Sequence, residues 1–371
     1  RRDVSVFLDR ATIPAPRPVG SNPGADRSPD RFRNVGPGPE RGVSKNAHEI
    51  RDPIHVFIRL DSDERKVLNS QPFQRLRHVH QLAMSHLVYP GATHRRFEHS
   101  LGVMELADRA YQVLVQSAND AAREQLPDLD SDDKTRYWRR VLRMAALCHD
   151  LGHLPFSHAG EAELPPQGWD HERISREIIL SDAMRPLWDE MTPPVRPMDV
   201  VKLALGPRKA PAPFSLWETI LAEIIVGDAF GVDRMDYLLR DSHHAGVAYG
   251  KVDHYRLVDN LRILPPAPAG DGSQGTELSL GVEEGGIHSA EALMLARYFM
   301  FSQLYLHPIR RIYDIHLKDF LRAWLPGGRF PADVPEFLRL TDNEVTAAYL
   351  DAARKPGKPG HDPARRIVER D

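Results

Sequence analysis

Residues 144–158, Met-Ala-Ala-Leu-Cys-His-Asp-Leu-Gly-His-Leu-Pro-Phe-Ser-His, constrain this chain more than any other stretch. The apolar run 144–148 reads as a buried helix. It leads directly into three histidines and an aspartate within ten residues: His149, Asp150, His153 and His158. Buried imidazoles and carboxylates need partners. A divalent cation satisfies an adjacent His and Asp with the fewest additional groups. His149 and His153, at i and i+4, are predicted to share a helical face. Pro155 is predicted to end or kink that helix, with His158 and Glu161 sharing a face of the segment that restarts. A lone His-Asp pair fits a solvated helix end equally well. The additional His153 and His158 favour a metal or phosphate site.

The chain has 371 residues, enough for one large core or two. Its net charge of −3 gives no ground for general nucleic-acid affinity, so a nucleic-acid partner is left open. The single cysteine, Cys148, excludes an internal disulfide and reads as a small buried thiol. No apolar stretch approaches the roughly 20 residues of a membrane-spanning helix, and the expected compartment is the cytoplasm. The chain begins with Arg1 rather than Met, which leaves upstream residues and a removed targeting segment open. Residues 1–45 are rich in Pro, Gly, Arg and Asp and are expected to form a disordered tail.

Residues 51–60 alternate in part and predict a short hairpin or extended segment. A helix over 61–69 follows, with Asp61 as N-cap. Phe73, Leu76, Val79 and Leu82 have helical spacing and are predicted to face the core. A Pro90-Gly91 turn delivers His94, Arg95 and Arg96 to a helix over 99–117. A loop is predicted over 118–136 and the helix of the HD stretch from about 134. A further helix is predicted to open at 169–172 and run through Leu180. Residues 190–215 are Pro-rich loop around a short helix near Val200, before an apolar helix over 216–226. Asp233, Asp236, Tyr237 and Asp241 then project at i,i+3 and i,i+4 spacing, a second source of ligands for a hard cation. Strands at 257–264 and 277–282 are expected to be the only substantial β structure. A long helix over 289–324, broken at Pro308, carries Arg297 and Tyr305, and a short one lies near 343–353. The predicted fold is mostly α, a helical bundle with a small peripheral β-hairpin.

His99, His149–Asp150 and Asp233, each beside an apolar helix, occur in an order that resembles the HD-domain metal-dependent phosphohydrolases. The resemblance extends to Arg-Asp-Pro-Ile-His at 51–55, Gln-Pro-Phe-Gln-Arg-Leu-Arg at 71–77, the stretch 89–102, and 231–244. It is closest to the dNTP triphosphohydrolase branch, which includes bacterial dGTPase-like proteins and the sterile-alpha-motif-and-HD-domain dNTPase of animals. It implies an HD-domain core over 46–325, followed by a C-terminal helical and loop extension over 326–371 that is expected to be truncated. His99, His149, Asp150 and Asp233 match the metal ligands. Mixed imidazole and carboxylate suits Mn, Mg, Fe, Zn or Ni. His158 with Glu161 matches the pair near the leaving oxygen, while His153 and His171 match contacts to the α-phosphate. Arg96 matches a phosphate-binding arginine, and Arg234 stands where a basic residue reaches the triphosphate tail. Tyr237 and Asp241 match groups at the deoxyribose, Gln81 and Leu82 lie beside sugar and base, and Arg297 and Tyr305 match further pocket positions.

The implied activity is metal-dependent hydrolysis of a dNTP to deoxynucleoside and triphosphate by attack at the α-phosphorus. A bound metal lowers the pKa of water to about 7 and polarises a phosphoryl oxygen. Fixed positive groups stabilise the charge that develops. A histidine held by a carboxylate can protonate the leaving 5′-oxygen. The implied partners are a dNTP substrate, further copies of the chain in a dimer or tetramer, and a nucleotide activator. This chain departs from the animal enzyme at Asn69, where that enzyme reads guanine with an aspartate, and near His48, which stands close to its basic activator contact. Phe301 and Leu306 replace polar pocket residues. The alternatives are another HD phosphohydrolase (a nucleotidase or phosphodiesterase) and a non-catalytic nucleotide sensor.

Overall fold

The computed structural model describes residues 48–161, 163–266 and 278–371, without the side chain of His158. The tail expected over 1–45 lies outside the described residues. Strand β1 (His48–Asp52) pairs antiparallel with β2 (Val56–Leu60), Ile50 standing opposite Ile58. Their turn is closed by Asp52, whose Oδ1 accepts from the amides of Ile54 and His55 at 2.9 and 2.8 Å. Such Asx turns substitute a side-chain oxygen for a backbone one. This hairpin is one of the two readings offered for 51–60, and it makes the later pair one of two small sheets among the described residues. The alternation at 51–60 is too short to decide alone, and the Asp-Pro turn chemistry decides it.

Helix α1 (Ser62–Leu68) starts at Asp61 in a reciprocal capping box with Glu64. Helix α2 (Gln71–Arg75) is followed by a short 3₁₀ turn to His78. The helical spacing that suggested continuation to Leu82 stops there. The Arg96 amide donates to the Val79 carbonyl at 3.0 Å and the Gln81 amide to the His94 carbonyl at 3.1 Å, in a small antiparallel bridge. That bridge delivers Arg96 to the start of α3 (Arg96–Ser117). The predicted 118–136 loop contains a helix, α4 (Asp120–Gln125), because Asn119 caps it through the Ala122 amide. Next come α5 (Asp132–Cys148), α6 (His171–Ile179), α7 (Arg185–Asp189), α8 (Pro197–Leu205), α9 (Leu216–Val226) and α10 (Val232–Ala245). After α11 (His254–Asp259), strands β3 (Leu261–Leu264) and β4 (Ser279–Val282) pair antiparallel. Helix α12 (Ile287–Met300) runs through one π turn, Phe301–Tyr305, into α13 (Pro308–Trp324). Helices α14 (Val334–Phe337), α15 (Asp342–Ala353) and α16 (His361–Glu369) complete the chain.

The centre is α3 packed on α5 and α10, with α8 and α9 behind. Met104, Leu106 and Ala107 of α3 meet Leu142, Ala145 and Leu147 of α5 and Met235 and Leu238 of α10, all buried. One expectation about the HD stretch is corrected here. Helix α5 ends at Cys148, so His149 and His153 do not share a helical face. The chain continues in tight turns, with Leu151 donating to the Cys148 carbonyl and His153 to the Asp150 carbonyl. Helix α6 packs closely against these turns. The Gly152 amide donates to Ser175 Oγ at 2.9 Å, and a Cβ at Gly152 would overlap the His171 carbonyl. After Pro155, Phe156 and Ser157 are both left-handed, at φ +56°, before a 3₁₀ turn over Ser157–Gly160.

Gly102 is where α3 touches α10. A Cβ there would overlap the Asp236 carboxylate and crowd the Arg240 guanidinium. Gly102→Ala is expected to destabilise the fold by about 1–3 kcal/mol, the ordinary range for overpacking a core. The urea midpoint would fall with an unchanged slope. An unchanged midpoint would show that α3 and α10 do not depend on this contact.

Candidate active site

Three elements converge at the C-terminal end of α5. Helix α3 supplies His99 from its first turn, the chain just after α5 supplies His149 and Asp150, and the first turn of α10 supplies Asp233. His99 Nε2 lies 3.0 Å from Asp233 Oδ1 and 3.6 Å from Asp150 Oδ2. His149 Nε2 lies 3.3 Å from Asp150 Oδ1 and 3.5 Å from Asp233 Oδ1. One ligand atom each from His99, His149 and Asp233 can be chosen within 4.8 Å of one another. Asp150 borders this trio but is also engaged by Arg96 Nη1 at 2.5 Å and His153 Nε2 at 3.1 Å.

The donor set fits a divalent metal, and the imidazole tautomers are the reason. His149 Nδ1 donates to the Ala146 carbonyl at 2.7 Å, leaving the lone pair on Nε2. That Nε2 is buried and has no hydrogen-bond partner, an orphaned acceptor facing carboxylates. His99 Nδ1 donates to Asp236 Oδ2 at 2.8 Å and so turns its own Nε2 toward Asp233. Carboxylates that orient ligating histidines in this way are the usual outer layer of metal sites. Asp236 is held by the Arg240 guanidinium at 2.9 Å and His55 Nε2 at 2.7 Å, and Arg240 by Asp52 at 2.8 Å. This explains the Arg-Asp-Pro-Ile-His stretch: the β1–β2 turn carries both Asp52 and His55 to the far side of the site.

The electrostatics agree. Burial would lower the His99 imidazolium, but hydrogen bonds with Asp233 and Asp236 outweigh it and raise it to about 10. Burial would raise the Asp233 carboxyl, but the neighbouring His149 and His99 imidazoles hold it below its ordinary value. This local surplus of negative charge is what a divalent cation would neutralise. Burial, and then the charge of Arg96, push the His153 imidazole well below its ordinary value. Burial alone pushes the Cys148 thiol up, so Cys148 is an inert core residue.

A cavity of about 720 Å³ opens from this centre. Of the residues singled out from sequence, Gln81, Leu82, Arg96, His149, Asp150 and His153 line it. So do His171, Asp233, Tyr237, Asp241 and Tyr305. His153 and His171 stack with ring centroids 4.2 Å apart, and Glu161 contacts His171 Nδ1. At the other end Asp241 accepts from Tyr305 Oη and from His94 Nε2, each at 2.7 Å, while Tyr237 meets Tyr305 edge to face. Burial first, then the nearby Asp233, push the Tyr237 phenol up to about 12, so it stays protonated.

Some singled-out residues stand apart from the lining. His99 lies beneath it. Arg234 folds back onto the carbonyls of Gly227 and Asp228, and Arg297 lies over the Phe301 ring, 5.6 Å from its centroid. The His158 side chain lies outside the described residues, so the His158–Glu161 pairing does too. The lining also contains four basic residues that the sequence motifs did not single out: Arg208 and Lys209 in the α8–α9 loop, and Arg310 and Arg311 in the first turn of α13. The adjacent basic pairs were the available signal, after Gly206-Pro207 and after Pro308.

His149→Ala is expected to abolish retention of one divalent ion per chain after dialysis. Asp236→Asn is expected to weaken it about 10- to 100-fold, and Cys148→Ala to leave it intact. Metal content by atomic emission reads all three, and undiminished metal in the His149 variant would remove the assignment.

Residues 96–210 match the family model for the HD domain, and residues 252–371 match that for an HD associated region. An uncharacterized protein of Methanocaldococcus jannaschii is 34% identical over 72% of this chain and 48% of its own length. The deoxynucleoside triphosphate triphosphohydrolase SAMHD1 of Homo sapiens is 29% identical over 74% of this chain and 44% of its own. The chain thus spans about half the length of the curated relatives it matches. A crystal structure of a hypothetical protein from Aquifex aeolicus superposes with a TM-score of 0.67 at 32% identity, covering 87% of this chain and 76% of that one. Domain match, relatives and the His-His-Asp metal centre agree: the chain belongs to the HD-domain family of metal-dependent phosphohydrolases, among its dNTP-triphosphohydrolase-like members.

Proposed function

We propose that this protein hydrolyses deoxynucleoside triphosphates at the α-phosphorus, releasing deoxynucleoside and triphosphate. The observation that carries this reading is the polarity of the cavity. The candidate metal centre lies beside Arg96, the α8–α9 wall carries Arg208 and Lys209 in ion pairs with Asp228 and Asp170, and eight residues along α10 from Asp233 stands the Asp241–Tyr305 pair beside Tyr237. A nucleoside triphosphate has matching parts, an α-phosphorus with the sugar on one side and the charged tail on the other. A divalent ion held by His99, His149, Asp150 and Asp233 supplies Lewis-acid polarisation and an activated water. Arg96, His153 and His171 stabilise charge on the α-phosphate. Arg208 and Lys209 take the tail from the cavity wall, and Arg234 joins them by leaving the carbonyls it now caps. Leaving-group protonation falls to His158 with Glu161. Asp241 accepts from the sugar hydroxyl, Gln81 and Leu82 border sugar and base, Tyr305 orients Asp241 through their hydrogen bond, and Arg297 reaches the pocket only by leaving the Phe301 ring. The ring of Tyr237, packed against C2′ of a bound nucleotide, would disfavour a 2′-hydroxyl.

The reading includes self-association. Helices α12 and α13 and the π turn between them expose Leu295, Tyr298, Leu306, Ile309 and Ile312. An apolar surface of this kind suits a second copy of the chain. The animal relatives' name also favours the dNTP reading. No helix among the described residues is long and apolar enough to cross a membrane.

Incubation with each dNTP and Mn or Mg, with products resolved by chromatography, tests the proposal. Triphosphate plus deoxynucleoside is expected, and dGTP is expected to turn over at least about tenfold faster than GTP, the scale of one misfitted group. Stepwise orthophosphate, or hydrolysis of monophosphates or cyclic nucleotides alone, would move the protein to another branch of the family.

A further inference from the structure

The turn after the HD motif is held by a residue nearly 200 positions away. Phe156 and Ser157 are consecutive left-handed residues, a conformation that side chains other than glycine and asparagine rarely adopt unless surrounding contacts impose it. The contacts come from the C-terminal region. Asp342, the first residue of α15, is 2% exposed, and its carboxylate points away from its own helix. Its Oδ1 accepts from the Phe156 amide at 2.6 Å. Its Oδ2 accepts from the His80 amide at 2.8 Å and from His80 Nδ1 at 2.5 Å. The His80 ring stacks on Phe156, with centroids 5.8 Å apart.

The network continues into the active site. Ser157 Oγ donates to the His80 carbonyl at 2.6 Å and accepts from Arg96 Nε at 2.9 Å. Arg96 then reaches Asp150. Beside this, Arg75 ties the same two regions together, donating to the His153 carbonyl at 3.0 Å and to the Leu340 carbonyl at 2.9 Å. Its guanidinium lies 4.4 Å from the centroid of Phe337. The backbone of 153–157 is thus fastened by two side-chain clamps onto the segment 337–342. A capping box between Thr341 and Glu344 fixes the orientation of Asp342 in turn. Asp342 itself is neither among the candidate metal ligands nor in the cavity lining, and its network meets the ligand set only through Arg96 on Asp150.

We propose that Asp342 is a positioning residue for catalysis: its carboxylate locks the Phe156–Ser157 turn and so sets Arg96, and the 3₁₀ turn that bears His158, relative to the metal centre. The associated C-terminal region is then part of the active-site framework. This rests on the phosphohydrolase reading for its activity arm. Displacement of a reacting group by about 1 Å can cost on the order of a hundredfold in rate, so the effect falls on kcat rather than on metal binding.

The test compares Asp342→Ala and the gentler Asp342→Asn with the wild-type protein and with Asp351→Ala, a surface change on the same helix. Hydrogen–deuterium exchange is read over 154–158, metal content by atomic emission, and kcat and KM on the dNTP that the wild-type protein hydrolyses best. Asp342→Ala is expected to lose exchange protection over 154–158, retain its metal, and lose kcat by about 30- to 100-fold with KM within about threefold. Asp342→Asn keeps one acceptor oxygen and is expected to show a smaller loss in the same direction, and Asp351→Ala none. Unchanged exchange over 154–158, or normal kcat once the turn has loosened, overturns the proposal. So does loss of metal in step with activity in the Asn variant, since that marks general collapse. If the wild-type protein hydrolyses no dNTP, the substrate reading falls, and exchange with metal content decides the role of Asp342.

Discussion

The Asp236 carboxylate is fully buried and accepts from three groups at once: Arg240, His55 and His99. Burial would raise its pKa, but the Arg240 charge and these hydrogen bonds hold it well below the ordinary range. A buried charge of this kind is tolerated only when fully paired. Here the pairing joins separate parts of the chain. Arg240 brings Asp52 from the first hairpin, His55 comes from the same turn, and His99 comes from α3. Gly102 permits it by letting α3 close onto α10 without a side chain between them. The outcome is a fixed tautomer at His99 and an Nε2 aimed at Asp233. The geometry of the metal centre therefore depends on a charge that never meets the cavity.

The opposite side of the site is built by different means. Helix α5 stops at Cys148, and the turn just beyond it supplies His149 and Asp150 and passes close to α6 at Gly152. Beyond it the chain forms an irregular turn whose conformation its own residues do not favour. Ser175, Arg75 and Asp342 supply the missing contacts from three directions. Helices α3 and α10 thus place His99 and Asp233, the turn at the end of α5 places His149 and Asp150, and side-chain clamps place the groups that would face the phosphate. The helical arrangement is rigid by packing. The clamped one is rigid by hydrogen bonds that any change in the C-terminal region can reach.

Much of this was legible in the sequence. The apolar runs preceding His149 and Asp233 are dense and helical in period, so a mostly α fold follows from them with little tertiary information. Asp61 and its Glu64 give the start of α1, and Pro308 the start of α13. Local signals were misleading where non-local pairing won. The helical spacing of Val79 and Leu82 gave way to a bridge between His80 and Arg95. The i,i+4 spacing of His149 and His153 gave way to tight turns packed against α6. The acidic stretch after α3 read as loop although Asn119 caps a helix there.

By itself the sequence marked His99, His149, Asp150 and Asp233 as candidate ligands, through their order and the family resemblance that this order carries, and the fold brings His99, His149 and Asp233 together. The sequence also determined the helical scaffold, since hydrophobic period is a local property. Tertiary structure alone decided which nitrogen of each histidine faces the site, because that depends on Asp236 and the Ala146 carbonyl. It decided that Arg208, Lys209, Arg310 and Arg311 line the cavity while Arg234 and Arg297 stand aside. It also decided that Asp342 reaches the HD turn. Contacts between residues 186 and 262 positions apart have no periodic or local signature, and only the packing of α15 beside α13 and the HD turn brings them together.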